Sequence, residues 1–213
     1  MSQSDNGNGP RIAGTIAGDM QPCWLCGRSV SARALFCHGC GAVLPPRELD
    51  HFARLNLECR FDIDLEQLGR QHTGLTKALD PERFVARGAR QQAHARAQAE
   101  AMTAAYEVLR DPVRRARYLL EMLGIERVAA SPADDPDAMD LRGDLAAAPD
   151  AAAVDRVALD VVHRIEACIR DLSIAFRTGL TGNAARVLAR LEDLDAIAEA
   201  ARERRAAFTD KTP

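Results

Sequence analysis

The sequence predicts an all-helical protein preceded by a small metal-held module, and three observations carry that expectation. Apolar residues make up 47% of the chain but aromatics only 4%, with alanine supplying the balance, which favours helices over a sandwich or barrel. From Asp64 onward, apolar residues recur at three- and four-residue intervals, the helical period. Ahead of them, four cysteines stand as two C-x-x-C pairs close together.

Residues 1–20 read as a flexible tail. They lack the apolar core of a secretory signal, and they carry too few arginines and too many acids for a transit peptide. No apolar run approaches the 18 residues of a membrane span, so no membrane contact and a cytoplasmic location are expected.

Residues 21–46 form the metal module. In "CWLCGRSVSARALFCHGC", Cys23 and Cys26 are separated from Cys37 and Cys40 by ten residues. Four thiolates so spaced close a tetrahedral site, two from each knuckle, and the expected metal is zinc. A rubredoxin-like iron suits the same knuckles. Four cysteine ligands leave no open position, so the metal is structural. Gly27 and Gly41 follow the second cysteine of each pair, where glycine tolerates the backbone angles that aim amides at sulfur. A module of roughly 25 residues cannot bury enough apolar surface to fold alone, and zinc supplies on the order of 10 kcal/mol to such a unit. His38 is an alternative ligand or an exposed bystander. Trp24 is expected to cap the small core. Arg28 and Arg33 are a thin footprint for phosphate and argue against a nucleic-acid partner.

Pro45-Pro46 punctuate the boundary to residues 47–126. Asp64 with Gln67 makes a capping box, and the helix it starts carries Leu65, Leu68, His72, Leu75 and Leu79 as its apolar stripe. Pro81 ends that helix. A second helix, antiparallel to it, presents Ala95, Ala99, Met102, Tyr106 and Leu109, until Asp111-Pro112 breaks it. The next helix stops at Gly124. Residues 127–213 contain a short acidic helix and then a long antiparallel hairpin. One arm shows Val154, Val157, Val161, Ile165, Cys168, Leu172 and Phe176, and the other Val187, Leu191, Leu194, Ala198 and Ala201. Charge is distributed unevenly: eight arginines against three acids from Arg83 to Tyr118, eight aspartates against two arginines from Ser131 to Asp160. Such separation suggests regions that face different partners. No phosphate-binding glycine loop and no nucleophile–base set stands out, so an enzyme is not expected.

The order and spacing of "DHFARLNL", "F-x-I-D", the bend with "RF", and "AAYEVLRDPVRRARYLLEMLGIE" resemble the HscB-type J-domain co-chaperones of iron–sulfur cluster assembly. The cysteine pairs resemble the amino-terminal metal module of the longer HscB proteins. The resemblance implies a J-domain-like helical hairpin followed by a carboxy-terminal three-helix bundle, with a zinc-ribbon-like head. It implies two partners: a DnaK-type, HscA-like chaperone whose ATPase is stimulated, and an IscU-type scaffold protein. The implied chaperone-docking residues are Asp80, Pro81, Glu82 and Arg83, with Arg70 and Lys77 on the helix before them. The implied scaffold-binding residues are Met139, Leu141 and Leu145, in "MDLRGDL" where the family has "MELREEL".

The chain departs from that pattern where it matters most. Asp80-Pro81-Glu82 stands in place of the family's His-Pro-Asp. Glutamate keeps the charge on a longer stem, but an ionised Asp80 only accepts a hydrogen bond where an imidazole can donate one. If that donor matters, the loss is about 1–3 kcal/mol, or about 5- to 150-fold in affinity. Asp135-Pro136 occupies the family's Leu-Met pair, and Asp193 an aromatic on the last helix. The rival reading is therefore a J-like adaptor that has lost stimulation and serves another client. A zinc-ribbon nucleic-acid binder is the third, disfavoured by the chain's net acidity.

Overall fold

The computed structural model describes residues 20–129 and 136–209. The expected tail, Met20 excepted, and Asp135 lie outside them. The chain divides into two compact units, one running to Cys59 and then Ile63–Asp111, the other comprising Arg60–Asp62 and everything from Pro112 onward.

The first unit opens with two short strands, β1 (Met20–Pro22) and β2 (Ser29–Ser31), paired antiparallel with Gln21 opposite Val30. An isolated bridge joins Phe36 to Val43. Cys23, Val30, Cys37, Ala42 and Leu44 form the core of this head, with Trp24 and Ala34 packed against it. Helix α1 (His51–Arg54) is capped by Asp50, which accepts from the Ala53 amide at 2.7 Å. Helix α2 (Leu65–Ala78) begins as expected, with Asp64 Oδ1 accepting from the Gln67 amide at 2.9 Å. Pro81–Arg87 then form a 3-10 helix, and Gly88 at φ +93° turns the chain into α3 (Ala89–Arg110).

Leu68 and Leu79 on the α2 stripe and Ala95, Met102 and Leu109 on α3 are buried, as the periodicity predicts. Leu65 is not; it is 54% exposed. The reason is length. His72 stacks on Tyr106 at 4.3 Å and meets Thr103 at 3.2 Å, so in an antiparallel pair the turn holding Leu65 extends past the end of α3 at Arg110.

The second unit contains α4 (Pro112–Met122), α5 (Pro136–Ala147), α6 (Ala151–Arg177) and α7 (Thr181–Thr209). Gly124 ends α4 in the left-handed region at φ +68°, and the Ile125 amide reaches back to the Leu120 carbonyl at 2.9 Å. Gly179 does the same after α6, with Leu180 reaching Ala175. Helices α6 and α7 pack as the expected hairpin over Val154, Val161, Cys168, Leu172, Leu191, Leu194 and Ala201. Phe61 stacks on Phe176 at 5.2 Å beneath the Arg115 guanidinium, which fixes the Arg60–Asp62 tripeptide to this unit.

Candidate metal centre and interaction surfaces

The four sulfurs meet. Cys23, Cys26, Cys37 and Cys40 place their Sγ atoms within 4.8 Å of one another. The Cys23–Cys40 pair stands at 3.8 Å and Cys26–Cys37 at 3.6 Å. A disulfide needs about 2.05 Å, whereas four ligands about 2.3 Å from a central metal stand about 3.8 Å apart on tetrahedral geometry. The donor set therefore fits a tetrathiolate metal site. His38 is exposed and lies outside the cluster.

The two knuckles are built alike. Gly27 and Gly41 both sit at φ +69°, and their amides return to the Cys23 and Cys37 carbonyls at 2.9 and 2.8 Å. Each turn thereby aims one amide at its buried sulfur, Leu25 at Cys23 and Gly39 at Cys37, both at 3.4 Å. The Cys40 amide is the largest cause that lowers Cys37 to about 6, helped by Gly39 and the Cys26 sulfur and opposed by burial. At Cys40 the Ala42 amide also pulls down, but burial and the Cys26, Cys37 and Cys23 sulfurs prevail and push it up to about 12. Cys23 and Cys37 are buried, Cys26 and Cys40 exposed, so the site is open along one edge.

The expected docking residues lie around the bend. Asp80 caps the 3-10 helix, its Oδ1 accepting from the Glu82 amide at 3.1 Å, and Pro81 takes the first helical position. Arg83 donates to the Lys77 carbonyl at 3.2 Å, closing the end of α2. Arg70 pairs with Glu66 at 3.3 Å on an exposed face, and Lys77 is exposed. On α5, Met139 is 55% exposed while Leu141 and Leu145 are buried. Asp193 forms an ion pair with Arg142 of α5.

The arginine run does not form one free basic face. Arg87 donates to the Gly41 carbonyl at 2.9 Å, and Arg90 lies over the Trp24 ring at 4.2 Å. Arg110 pairs with Glu107, and Arg117 holds Glu192 at 2.6 Å. Two residues that the sequence reading passed over explain how the head is held on α3. Gln91 Oε1 accepts from the Val43 amide at 3.1 Å, and Gln98 Nε2 donates to the Leu44 carbonyl at 3.1 Å. Both glutamines are buried. Their signal was available: they lie seven apart on the face of Ala95 and Met102, where an unassigned polar side chain needs a partner.

No protein-family model matches the chain. Two curated co-chaperones are similar to it. Co-chaperone protein HscB of Proteus mirabilis (strain HI4320) is 33% identical over 78 residues, 37% of this chain and 45% of that protein. The co-chaperone protein HscB homolog of Paraburkholderia phymatum is 40% identical over 76 residues, 36% of this chain and 43% of that protein. Over those 76–78 residues the chain is similar to the HscB co-chaperones. The aligned stretch spans less than half the length of these curated relatives. The fold agrees over much more of the chain. The crystal structure of human co-chaperone protein HscB has a TM-score of 0.80 at 22% identity, covering 87% of this chain and 99% of that one. Chaperone HscB from Vibrio cholerae gives 0.67 at 24% identity, with 75% and 99% covered. The architecture is thus an HscB-like helical fold with a small two-stranded, four-cysteine head. Among the described residues, no helix is long and apolar enough to cross a membrane.

Proposed function

We propose that the protein is a co-chaperone of iron–sulfur cluster assembly, and the observation that carries this reading is the fold match spanning nearly all of a human HscB. Residues 47–126 dock on a DnaK-type, HscA-like chaperone through Asp80, Pro81, Glu82 and Arg83, with Arg70 and Lys77 beside them. Residues 127–213 present an IscU-type scaffold, with exposed Met139 touching it and Leu141 and Leu145 packing beneath. The protein carries out no bond chemistry. It binds one conformation of the chaperone better than another, and that difference shifts the chaperone's equilibrium. Residues 21–46 hold zinc as a structural ion, through Cys23, Cys26, Cys37 and Cys40; four thiols kept unpaired suit the reducing cytoplasm.

A second reading is favoured by one detail. The Asp80 carboxylate is engaged as a cap, accepting from Glu82, so "DPER" also reads as a plain helix start. A J-like adaptor that binds without stimulating would need nothing more. Single-turnover ATPase of the cognate DnaK-type chaperone separates the two. Stimulation by the wild type supports the co-chaperone; stimulation by Asp80→His/Glu82→Asp alone identifies an adaptor with an intact body and a disabled loop. If neither protein stimulates, the docking reading fails.

A further inference from the structure

The Asp80–Glu82 bend sits at the start of a segment that cannot hold its own shape. A 3-10 helix is tight and poorly hydrogen-bonded, and runs longer than three or four residues are uncommon. Pro81–Arg87 has seven. Its amide bonds Arg83 to Asp80 at 3.1 Å and Gly88 to Val85 at 3.3 Å are ordinary or long, and it ends at a glycine in the left-handed half of backbone space. Something outside the segment must fix it.

Gln92 Nε2 on the Pro81 carbonyl at 3.4 Å and Arg83 on the Lys77 carbonyl at 3.2 Å supply part of that support, and the second cysteine knuckle supplies the rest. Phe84 is buried and stacks on Phe36 with ring centroids 6.3 Å apart and planes 25° apart. Arg87 Nη1 donates to the Gly41 carbonyl at 2.9 Å. A Cβ on Gly41 would lie 3.5 Å from the same nitrogen, in ordinary van der Waals contact. Phe36 directly precedes Cys37, and Gly41 directly follows Cys40. Each contact of the knuckle on the bend is therefore one residue from a metal-binding sulfur. The head's own core is small, so ligation at Cys37 and Cys40 would tighten the hold on Phe36 and Gly41 beyond the Phe36–Val43 bridge and the Gly41–Cys37 amide bond. Cys26 and Cys40 are exposed residues, so one edge of that ligation faces solvent.

We propose that Phe84 and Arg87 are positioning residues through which the metal-loaded four-cysteine head sets the geometry of the Asp80-Pro81-Glu82 bend. The consequence for chaperone docking rests on the co-chaperone reading; the mechanical coupling does not. Loaded, the head fixes the 3-10 helix and the two carboxylates beside Pro81. Stripped of metal, it releases Phe36 and Gly41, and the bend becomes mobile.

Hydrogen exchange of the full chain tests the coupling without any partner. Stripping zinc with a chelator should speed exchange over residues 81–91 about tenfold or more, while residues 154–172 of α6 stay unchanged. Arg87→Ala, with zinc content still at one ion per chain, should speed the same segment about fivefold, and Arg87→Lys should restore it. Equal exchange over 81–91 with and without zinc overturns the proposal, as does an Arg87→Ala protein indistinguishable from wild type. Affinity for the DnaK-type chaperone then tests the consequence. Weakening in the order wild type, Arg87→Ala, stripped protein supports it; equal binding by all three, despite altered exchange, overturns it. If the loaded wild type fails to bind, the docking reading falls while the exchange result still decides the coupling.

Discussion

His94 is one of two histidines in the first unit whose ionisation the fold opposes. Its ring stands edge-on to Trp24 at 5.3 Å, and its buried Nε2 has no hydrogen-bond partner among the described residues. Burial lowers its pKa below the usual 6.5, and the nearby Arg90 charge lowers it further. His51 is lowered too, by burial and Arg54 against the opposing pull of Asp50. The unfolded chain thus takes up these protons first. Stability is whole above about pH 6.5 and falls as the pH drops from there toward the lowered folded values. The thermal midpoint followed by Trp24 fluorescence should fall between pH 7.5 and 5.5, and His94→Gln should flatten that fall. A mutant slope equal to that of wild type would show that His94 does not set the acid sensitivity. Asp80 shows the same principle of local partnership at an exposed site: its carboxylate already has a donor, the Glu82 amide.

Among the elements, α3 carries the head, and its two glutamines are not equivalent. Gln91 accepts from the Val43 amide, so Gln91→Leu leaves a buried N–H with nothing to donate to. Gln98 donates to the Leu44 carbonyl, while its own Oε1 is buried without a partner. Gln98→Leu removes a good bond and an unsatisfied oxygen together. A buried orphan N–H is rarer than an under-satisfied carbonyl, so Gln91→Leu should cost about 2–3 kcal/mol and Gln98→Leu about 1 kcal/mol. Urea midpoints read by Trp24 would check the order; a larger loss for Gln98→Leu would contradict it. These contacts also mark what the sequence could reveal. Helix starts at Asp64 and Pro112, stops at Gly124 and Gly179, and the sulfur cluster were all legible, because each is fixed within a few residues or by cysteine spacing. The exposed Leu65, the 3-10 form of Pro81–Arg87 and the docking of the head on α3 were not. They depend on where a partner helix ends and on contacts such as Val43 to Gln91, which span 48 positions of sequence. The arginine run misled for the same reason: a charge count cannot see that Arg87 and Arg90 face Gly41 and Trp24.

At the scale of the whole molecule, the two units keep their stability in different forms. The first contains a head whose core residues, Cys23, Val30, Cys37, Ala42 and Leu44, include two of the four cysteines that could hold a metal. An ion bound there would stand at the edge of that core, and its removal would loosen it. The second unit draws on ordinary apolar packing along α6 and α7, with Leu172, Leu191 and Leu194 buried almost completely. The chain's single tryptophan, Trp24, donates to the Val43 carbonyl at 2.8 Å in the head, so its fluorescence reports the first unit alone. Far-UV circular dichroism is dominated by helix, of which α6 and α7 are the longest stretches. A chelator titration should therefore shift the Trp24 signal at concentrations that leave most of the helical signal intact. Leu172→Ala should do the reverse, lowering the helical melting transition by about 2–5 kcal/mol of stability with zinc content and Trp24 emission unchanged. Coincident loss of both signals on chelation would mean that the metal site underwrites the entire chain. The head would then be a folding centre for the whole protein rather than for its own unit, and the bend beside Pro81 would lose its shape only because everything else had.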